Sequence, residues 1–357
     1  MASYTRRQFI IAGAKVAALA AVPAILRFDP ARAFAGPDES AVLADYLSWF
    51  EVDETLIRRV MAAALERGGD YCDLFFEHTI SNYVGLQDNA VNRAGTSVDY
   101  GVGIRVIEGD RTGFSFTEEL TAEAMLKAAR TAANIARAGA TDAPVGLVYK
   151  PAMNYYPIQT PWEDIGIDRK IPILQSLNDR ISTADSRIVK TSITYRDITS
   201  RVLVATSDGV IRSDYRPMAE ITASCSADQN GRREEGWYST TSRSDVSFFN
   251  QGTIDVVSAE AVRRTLTQLE AIQPEGGEMP VVLAAGGSGM MLHEAIGHGM
   301  EADCNRRNES IYSDAIGKPI AEPIVSIVDD GTYPHARGSI NIDDEGNDTE
   351  KTFLVKD

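Results

Sequence analysis

The stretch DETLIRRVMAAALERGGDYCDLFFEH, Asp53 to His78, changes its hydrophobic period midway, and that change decides the fold class. In its first half Leu56, Ile57, Val60, Met61, Ala64 and Leu65 recur at helical spacing behind Asp53, a good N-cap, with Arg58, Arg59 and Glu66 on the other side. Gly68-Gly69 stops the helix, and Tyr71 to His78 reads as a strand. Outward from there, Asn82 to Gln87, Val98 to Ile107 and Arg111 to Phe116 are further short strands, separated by Asp88-Asn89 and Glu108-Gly109-Asp110. A second helix runs from Glu123 to Arg137. A helix, a meander of antiparallel strands and a second helix predict an α+β domain over residues 36–144.

The pattern repeats in kind after the connector Pro151 to Pro161, giving a middle α+β domain over residues 150–274. Its helix spans Asp168 to Ile181, with Pro172 in the first turn. Strands are expected at Ile188 to Tyr195, Arg201 to Thr206, Val210 to Tyr215 and Ala219 to Ala227, with a hairpin turn at Ser207-Asp208-Gly209, and a closing helix from Thr253 to Ile272. A third domain, 276–357, opens with Pro280 to Ala285, which reads as a buried strand, then Gly286-Gly287-Ser288-Gly289, then a helix from Met290 to about Met300. Strand, glycine turn and helix could cradle a phosphate, but no Lys-Ser/Thr follows the glycines and the Walker spacing is absent.

Composition narrows the function classes. The 357 residues carry 35 Lys+Arg against 51 Asp+Glu, a net charge of −16. The first 35 residues hold five basic against one acidic residue, and beyond them 30 basic face 50 acidic residues. Such a body repels phosphate backbones, so no nucleic-acid partner is expected. Three scattered cysteines, Cys72, Cys225 and Cys304, make no disulfide framework. Residues 1–35 read as an address: Arg6-Arg7 precede a modest apolar run from Phe9 to Leu26, and Ala33-Phe34-Ala35 offers a cleavage point. This resembles a twin-arginine export signal and places the protein in the periplasm, with membrane contact only if the signal stays uncleaved.

The chemistry is concentrated in His293-Glu294-Ala295-Ile296-Gly297-His298. Two of the chain's four histidines flank a glutamate there, and imidazole nitrogens are ordinary ligands of Zn2+. Glu294, beside the first ligand, can act as general base toward a metal-activated water. The spacing is one residue longer than in H-E-x-x-H. On a regular helix, residues five apart lie about 140° apart, too far round to share one ion. A π-bulge would bring both histidines to one face, and Gly297 would ease it. Two half-buried histidines on an ordinary helix remain the plain alternative.

From Gly286 to Asp303 the chain, GGSGMMLHEAIGHGMEAD, resembles the TldD branch of the TldD/PmbA metalloprotease family, marked by a glycine-rich turn, H-E-A-x-G-H and an acidic tail. The likeness continues at Val328 to Thr332, Arg337-Gly338-Ser339 and Asp343 to Gly346. Upstream it includes Gly101 to Val106, Gly113-Phe114 and Arg233 to Gly236. The resemblance implies N-terminal α/β layers followed by a mainly antiparallel β C-terminal domain that carries the metal-binding helix. It also implies a zinc peptidase acting on unfolded or extended peptides, as a homodimer or with a PmbA-like partner subunit. By position, His293 and His298 would be the metal ligands and Glu294 the general base. The family's third ligand, a cysteine, would fall beyond Asp357, so the chain is expected to be a truncated and inactive form.

Cys304 is a poor substitute for that ligand, while Glu301 and Asp303 are candidates to orient the histidines. His335 is expected in a solvent-facing turn, and Asp343, Asp344 and Glu345 either line a cleft or cap a hairpin. The competing functions are a catalytically silent or scaffolding subunit of a TldD/PmbA-like complex, and a metal-binding module. Glu294 argues against both, since a structural zinc site needs no base beside its ligand. The family's association with DNA gyrase inhibition does not imply DNA binding in so acidic a chain.

Overall fold

The computed structural model describes residues 39–136 and 139–356, so the paired arginines and the apolar run after them lie outside the described residues. The first helices are α1 (Glu39–Trp49) and α2 (Glu54–Ala64). As expected, Asp53 caps α2, its side chain accepting from the Leu56 N–H. Strands β1 (Tyr71–Gln87), β2 (Ala90–Glu108) and β3 (Arg111–Thr117) follow, then α3 (Ala122–Ala132). After the two-residue strand β4 (Val148–Tyr149) come α4 (Ile167–Ala184), β5 (Ile188–Thr206), β6 (Val210–Gln229), β7 (Arg232–Ser242) and α5 (Gln251–Glu270). The architecture is α+β, as the sequence predicts, and every pairing is antiparallel except β4 with β6.

The strands of the first two sequence blocks share one sheet, in the order β3-β2-β1-β5-β6-β4, with β7 on β6. β1 joins the blocks by pairing with β2 on one side and β5 on the other. Pairs of strands expected as separate fuse: Tyr71–His78 with Asn82–Gln87, Ile188–Tyr195 with Arg201–Thr206, and Val210–Tyr215 with Ala219–Ala227. Polar interruptions such as Thr79 and Ser81 do not stop a backbone that is hydrogen-bonded on both sides. Even Pro217 is tolerated within β6. It lies between the reach of β4, which ends at Ile211, and that of β7, which begins at Ala219, where no ladder needs its N–H on that side.

One face of this sheet lies under helices. Cys72, Leu74 and Phe76 of β1 stand opposite Val106, Ile104 and Val102 of β2, all buried beneath α2 and α3. Further along the same face, Val84, Leu86, Ile193, Tyr195, Ile221 and Cys225 form a core with Leu174, Leu177 and Ile181 of α4 and Val257 and Ala261 of α5. The opposite face, made by the alternate residues, receives the C-terminal part of the chain: Ile342 is fully buried against Val202 and Val204. In that part, α6 (Gly287–Leu292) continues into a π turn at His293–Gly297 and a 3-10 turn at His298–Met300. Next come α7 (Ala302–Arg306) and a two-stranded sheet of β8 (Ile327–Asp330) and β9 (Lys351–Val355).

One sequence expectation is corrected in this region. Pro280 to Ala285 forms no strand, and Val281, Val282 and Leu283 are exposed. An apolar run becomes a buried strand only when another strand offers its backbone, and none does so here among the described residues.

Candidate metal centre on a π-distorted helix

Gly286, at φ 110°, turns the chain into α6 in a conformation that a side chain would strain. The helix then loosens by one residue where the motif needs it. The His298 N–H donates to the His293 carbonyl, an i to i+5 bond between the two histidines themselves. Their rings lie edge to face, 4.4 Å between centroids. Ligand atoms of His293, Glu294 and His298 come within 4.8 Å of one another, all on exposed side chains. The predicted π-bulge is therefore present, and it replaces the ordinary helix that would hold the histidines apart.

Gly297 does something other than expected. Its backbone is ordinary helix, φ −56° and ψ −51°, so no left-handed freedom is used. A Cβ there would sit 3.0 Å from His293 Nδ1, so the glycine leaves room for the imidazole. Gly299 is equally constrained, because a Cβ would meet the Tyr312 ring at 2.8 Å. The Gly299 carbonyl also accepts from Asn305 Nδ2 at 3.0 Å and from the Ser310 hydroxyl, which draws residues 305–312 around the helix end.

Beyond the helix, Glu301 Oε1 lies 2.7 Å from His298 Nδ1. A carboxylate at Nδ1 fixes the proton on that nitrogen and leaves Nε2 free, 3.5 Å from Glu294 Oε2. This contact with Glu301, ahead of the weaker fields of Glu301 and Glu294, raises the His298 pKa above its ordinary value. Cys304 groups with Glu301 and Asp303 rather than with the histidines. Partial burial, reinforced by the Asp303 carboxylate, holds its thiol above the usual range.

The residues fit zinc in part. Two imidazoles and a carboxylate converge, the donor set of a catalytic rather than a structural site, but three protein ligands are needed if Glu294 is to stay free as a base. Among the described residues no third histidine or cysteine joins the group.

The other acidic residues act as staples. Asp343 Oδ1 accepts from the N–H groups of Glu345 at 2.9 Å and Asn347 at 2.8 Å, closing a turn, while Asp344 and Glu345 pair with Arg216 and Arg105. His335 corrects its expectation. Its ring is half-buried, with Nδ1 2.8 Å from the Arg243 carbonyl and 3.2 Å from Ser244 Oγ, because residues 333–348 dock on the sheet instead of hanging in solvent.

The anchor of that docking was missed. Asp214, 3% exposed, accepts from Tyr156 OH at 2.9 Å, Asn341 Nδ2 at 2.8 Å and Arg216 Nε at 3.0 Å. Arg212 reaches the Gly346 carbonyl at 3.0 Å and pairs with Asp348. Arg212, Asp214 and Arg216 alternate along β6, and charges at period two on one strand face were the available signal.

Fold and site together define a class: an α+β scaffold that presents two histidines and a glutamate on a π-distorted helix, with their ligand atoms within 4.8 Å of one another. The chain belongs to the PmbA/TldD metallopeptidase family. Residues 72–136 match the family's domain 1, residues 160–269 its central domain and residues 276–357 its C-terminal domain. The "Metalloprotease TldD homolog" of Haemophilus influenzae is 34% identical over 299 residues, covering 82% of this chain and 62% of that protein. The chain thus spans about three fifths of the length of such curated relatives.

Among solved structures, a Bacteroides thetaiotaomicron protein described as a modulator of DNA gyrase superposes with a TM-score of 0.69 at 16% identity, over 85% of this chain and 69% of that one. TldE from Thermococcus kodakarensis gives 0.64 at 15%, over 84% and 67%. At these identities the likeness is one of fold.

Proposed function

We propose that this chain carries the metal centre of a zinc-dependent peptidase that hydrolyses unfolded or extended peptides. His293 and His298 are the metal ligands and Glu294 is the general base. The observation that supports this most is the π turn, because it brings two histidines five residues apart to one face. When bound, the ion would supply Lewis-acid polarisation of a peptide carbonyl and lower the pKa of a water to about 7.

The chain's own residues do the rest. Glu301 holds His298 in the tautomer that offers Nε2, and the space at Gly297 lets the His293 ring turn toward it. The Glu294 carboxylate, on the same face, takes the proton of the attacking water and returns one to the leaving amine. We further propose export through the twin-arginine pathway to the periplasm and action as a homodimer or beside a PmbA-like subunit.

Hydrolysis of an unstructured peptide by the zinc-loaded protein, with the chain carried to the length of its curated relatives, tests the reading. Glu294→Gln should retain zinc and lose about a hundredfold or more in turnover. Undiminished turnover in that variant removes Glu294 from the mechanism.

A further inference from the structure

His298 stands between two carboxylates that make opposite demands on it. Glu301 Oε1 lies 2.7 Å from Nδ1, and Glu294 Oε2 lies 3.5 Å from Nε2. A neutral imidazole carries one ring proton, so the carboxylate that holds this proton decides which nitrogen keeps a free lone pair. With the proton on Nδ1, Nε2 is open to an ion beside His293 and Glu294. With the proton on Nε2, that lone pair is lost and Glu294 is occupied as its acceptor.

Burial does not hold Glu301 in place, since its side chain is 50% exposed and that of His298 54%. A regular helix does not hold it either. The 3-10 turn ends at Met300, Glu301 leaves the helical region at φ −59° and ψ 135°, and α7 starts at Ala302. Glu301 occupies the N-cap position of α7, yet its side chain caps nothing there and turns back to His298. Its own N–H reaches the His298 carbonyl only at 3.4 Å. Two short helical pieces thus meet at a bend whose angle sets the distance from the carboxylate to the imidazole.

Asn305 spans that bend. Its Nδ2 donates to the Gly299 carbonyl at 3.0 Å and to the Glu301 carbonyl at 2.8 Å, so one amide ties the residue after His298 to the residue that carries the carboxylate. The Ser310 hydroxyl donates to the same Gly299 carbonyl. Asn305 Oδ1 is buried with no hydrogen-bond partner among the described residues. A flipped amide would set its oxygen against two carbonyls, so the orientation is forced, and the unsatisfied acceptor follows from making both donor bonds.

We propose that Asn305 is a positioning residue for the metal centre: by bridging the Gly299 and Glu301 carbonyls it holds the Glu301 carboxylate on His298 Nδ1 against the pull of Glu294 on Nε2, and so keeps Nε2 as the ligand atom. The proposal rests on the reading of His298 as a metal ligand, but the tautomer belongs to the metal-free chain and is measured there.

Nitrogen-15 NMR of the metal-free, histidine-labelled protein reads the tautomer of each of the four imidazoles, with His298 assigned by its loss in His298→Ala. At about pH 9, above the ordinary imidazole range, His298 should carry its proton on Nδ1. Asn305→Asp keeps the shape and removes both donors, and it should move the tautomer ratio at least about tenfold toward Nε2–H with far-UV circular dichroism unchanged. Ser310→Ala, a milder cut at the same carbonyl, should move the ratio in the same direction, and it decides the matter in place of Asn305→Asp if that variant is misfolded. In chelator competition, Asn305→Asp should bind zinc about tenfold or more weakly. Glu301→Ala/Asn305→Asp should bind it no more than about threefold worse than Glu301→Ala alone, because the amide acts through the carboxylate.

An unchanged tautomer in a folded Asn305→Asp overturns the proposal. So do losses in zinc affinity that multiply in the double variant, since Asn305 would then act independently of Glu301. A tautomer that follows Asn305 in a protein that takes up no zinc keeps the positioning role and removes the metal reading, whereas zinc bound with a tautomer that ignores Asn305 does the reverse.

Discussion

At the scale of single residues, the candidate centre depends on positions that carry no ligand atom. Gly297 is one of them. Its replacement by alanine would force a methyl group against the His293 ring, 3.0 Å away, so Gly297→Ala should weaken zinc binding at least about tenfold in a chelator competition while leaving global stability nearly unchanged. Glu301 is another, and Glu301→Ala should cost about ten- to a hundredfold in the same assay, with Glu301→Gln recovering part because its amide oxygen can still accept from Nδ1. An unaltered affinity in Glu301→Ala would show that the 2.7 Å contact orients nothing.

The sequence shows His293, Glu294 and His298 plainly, since few residue types bind metal and they stand together. It also predicts the π turn, because the spacing admits no other shared face. The use of Gly297 was not legible, as a space-filling constraint depends on where the neighbouring ring points. His335 was misread for a related reason: a turn residue's exposure depends on what the turn docks against.

Elements show the same division between local and non-local information. Helix α2 with its Asp53 cap, and the alternation in β1 and β2, follow from nearest neighbours and were readable. The length of the strands was not, because Thr79 to Ser81 look like a break until β2 and β5 are seen on either side. Strand β7 was overlooked although Asn230-Gly231, both at positive φ, is a strong hairpin signal. The run at Pro280 was read as a strand because apolar periodicity says nothing about a partner.

The Asp214 hub is the element-scale feature with the largest predicted effect. Asp214→Ala leaves the buried Tyr156 hydroxyl and Asn341 amide without their acceptor and removes one of the two carboxylates that Arg216 pairs with, so it should destabilise the protein by about 3 kcal/mol or more. It should also release residues 333–348, which would appear as early hydrogen exchange there. Asp245 offers a pH test. Burial would raise its pKa, but Ser247 and the backbone N–H groups of Gln159, Thr160 and Ser247 outweigh it, and the net shift is downward. A carboxyl depressed in the folded state adds stability above its unfolded pKa of about 3.9 and loses it as pH falls through the folded value. Asp245→Asn should therefore flatten the acid limb of the stability curve below about pH 4, and a limb of unchanged steepness would contradict this.

For the whole molecule, the shared sheet matters more than the division into sequence blocks. β1 contributes side chains beneath both helix pairs, so the two halves should unfold in one transition, with far-UV circular dichroism and tryptophan fluorescence coincident in urea; Trp162 reports from the second core and Trp49 from the first half. Separated transitions would show that the β1–β5 pairing adds little coupling.

The central claim is that the π turn makes His293 and His298 ligands of one ion. Zinc-edge X-ray absorption on the zinc-loaded protein tests it most directly, with His293→Ala, His298→Ala and Glu294→Gln measured alongside. The account predicts imidazole nitrogens at about 2.0–2.1 Å in the wild type and Glu294→Gln, and loss of the bound zinc in each histidine variant. Imidazole scattering that survives in either histidine variant, or a protein that takes up no zinc at all, would contradict it.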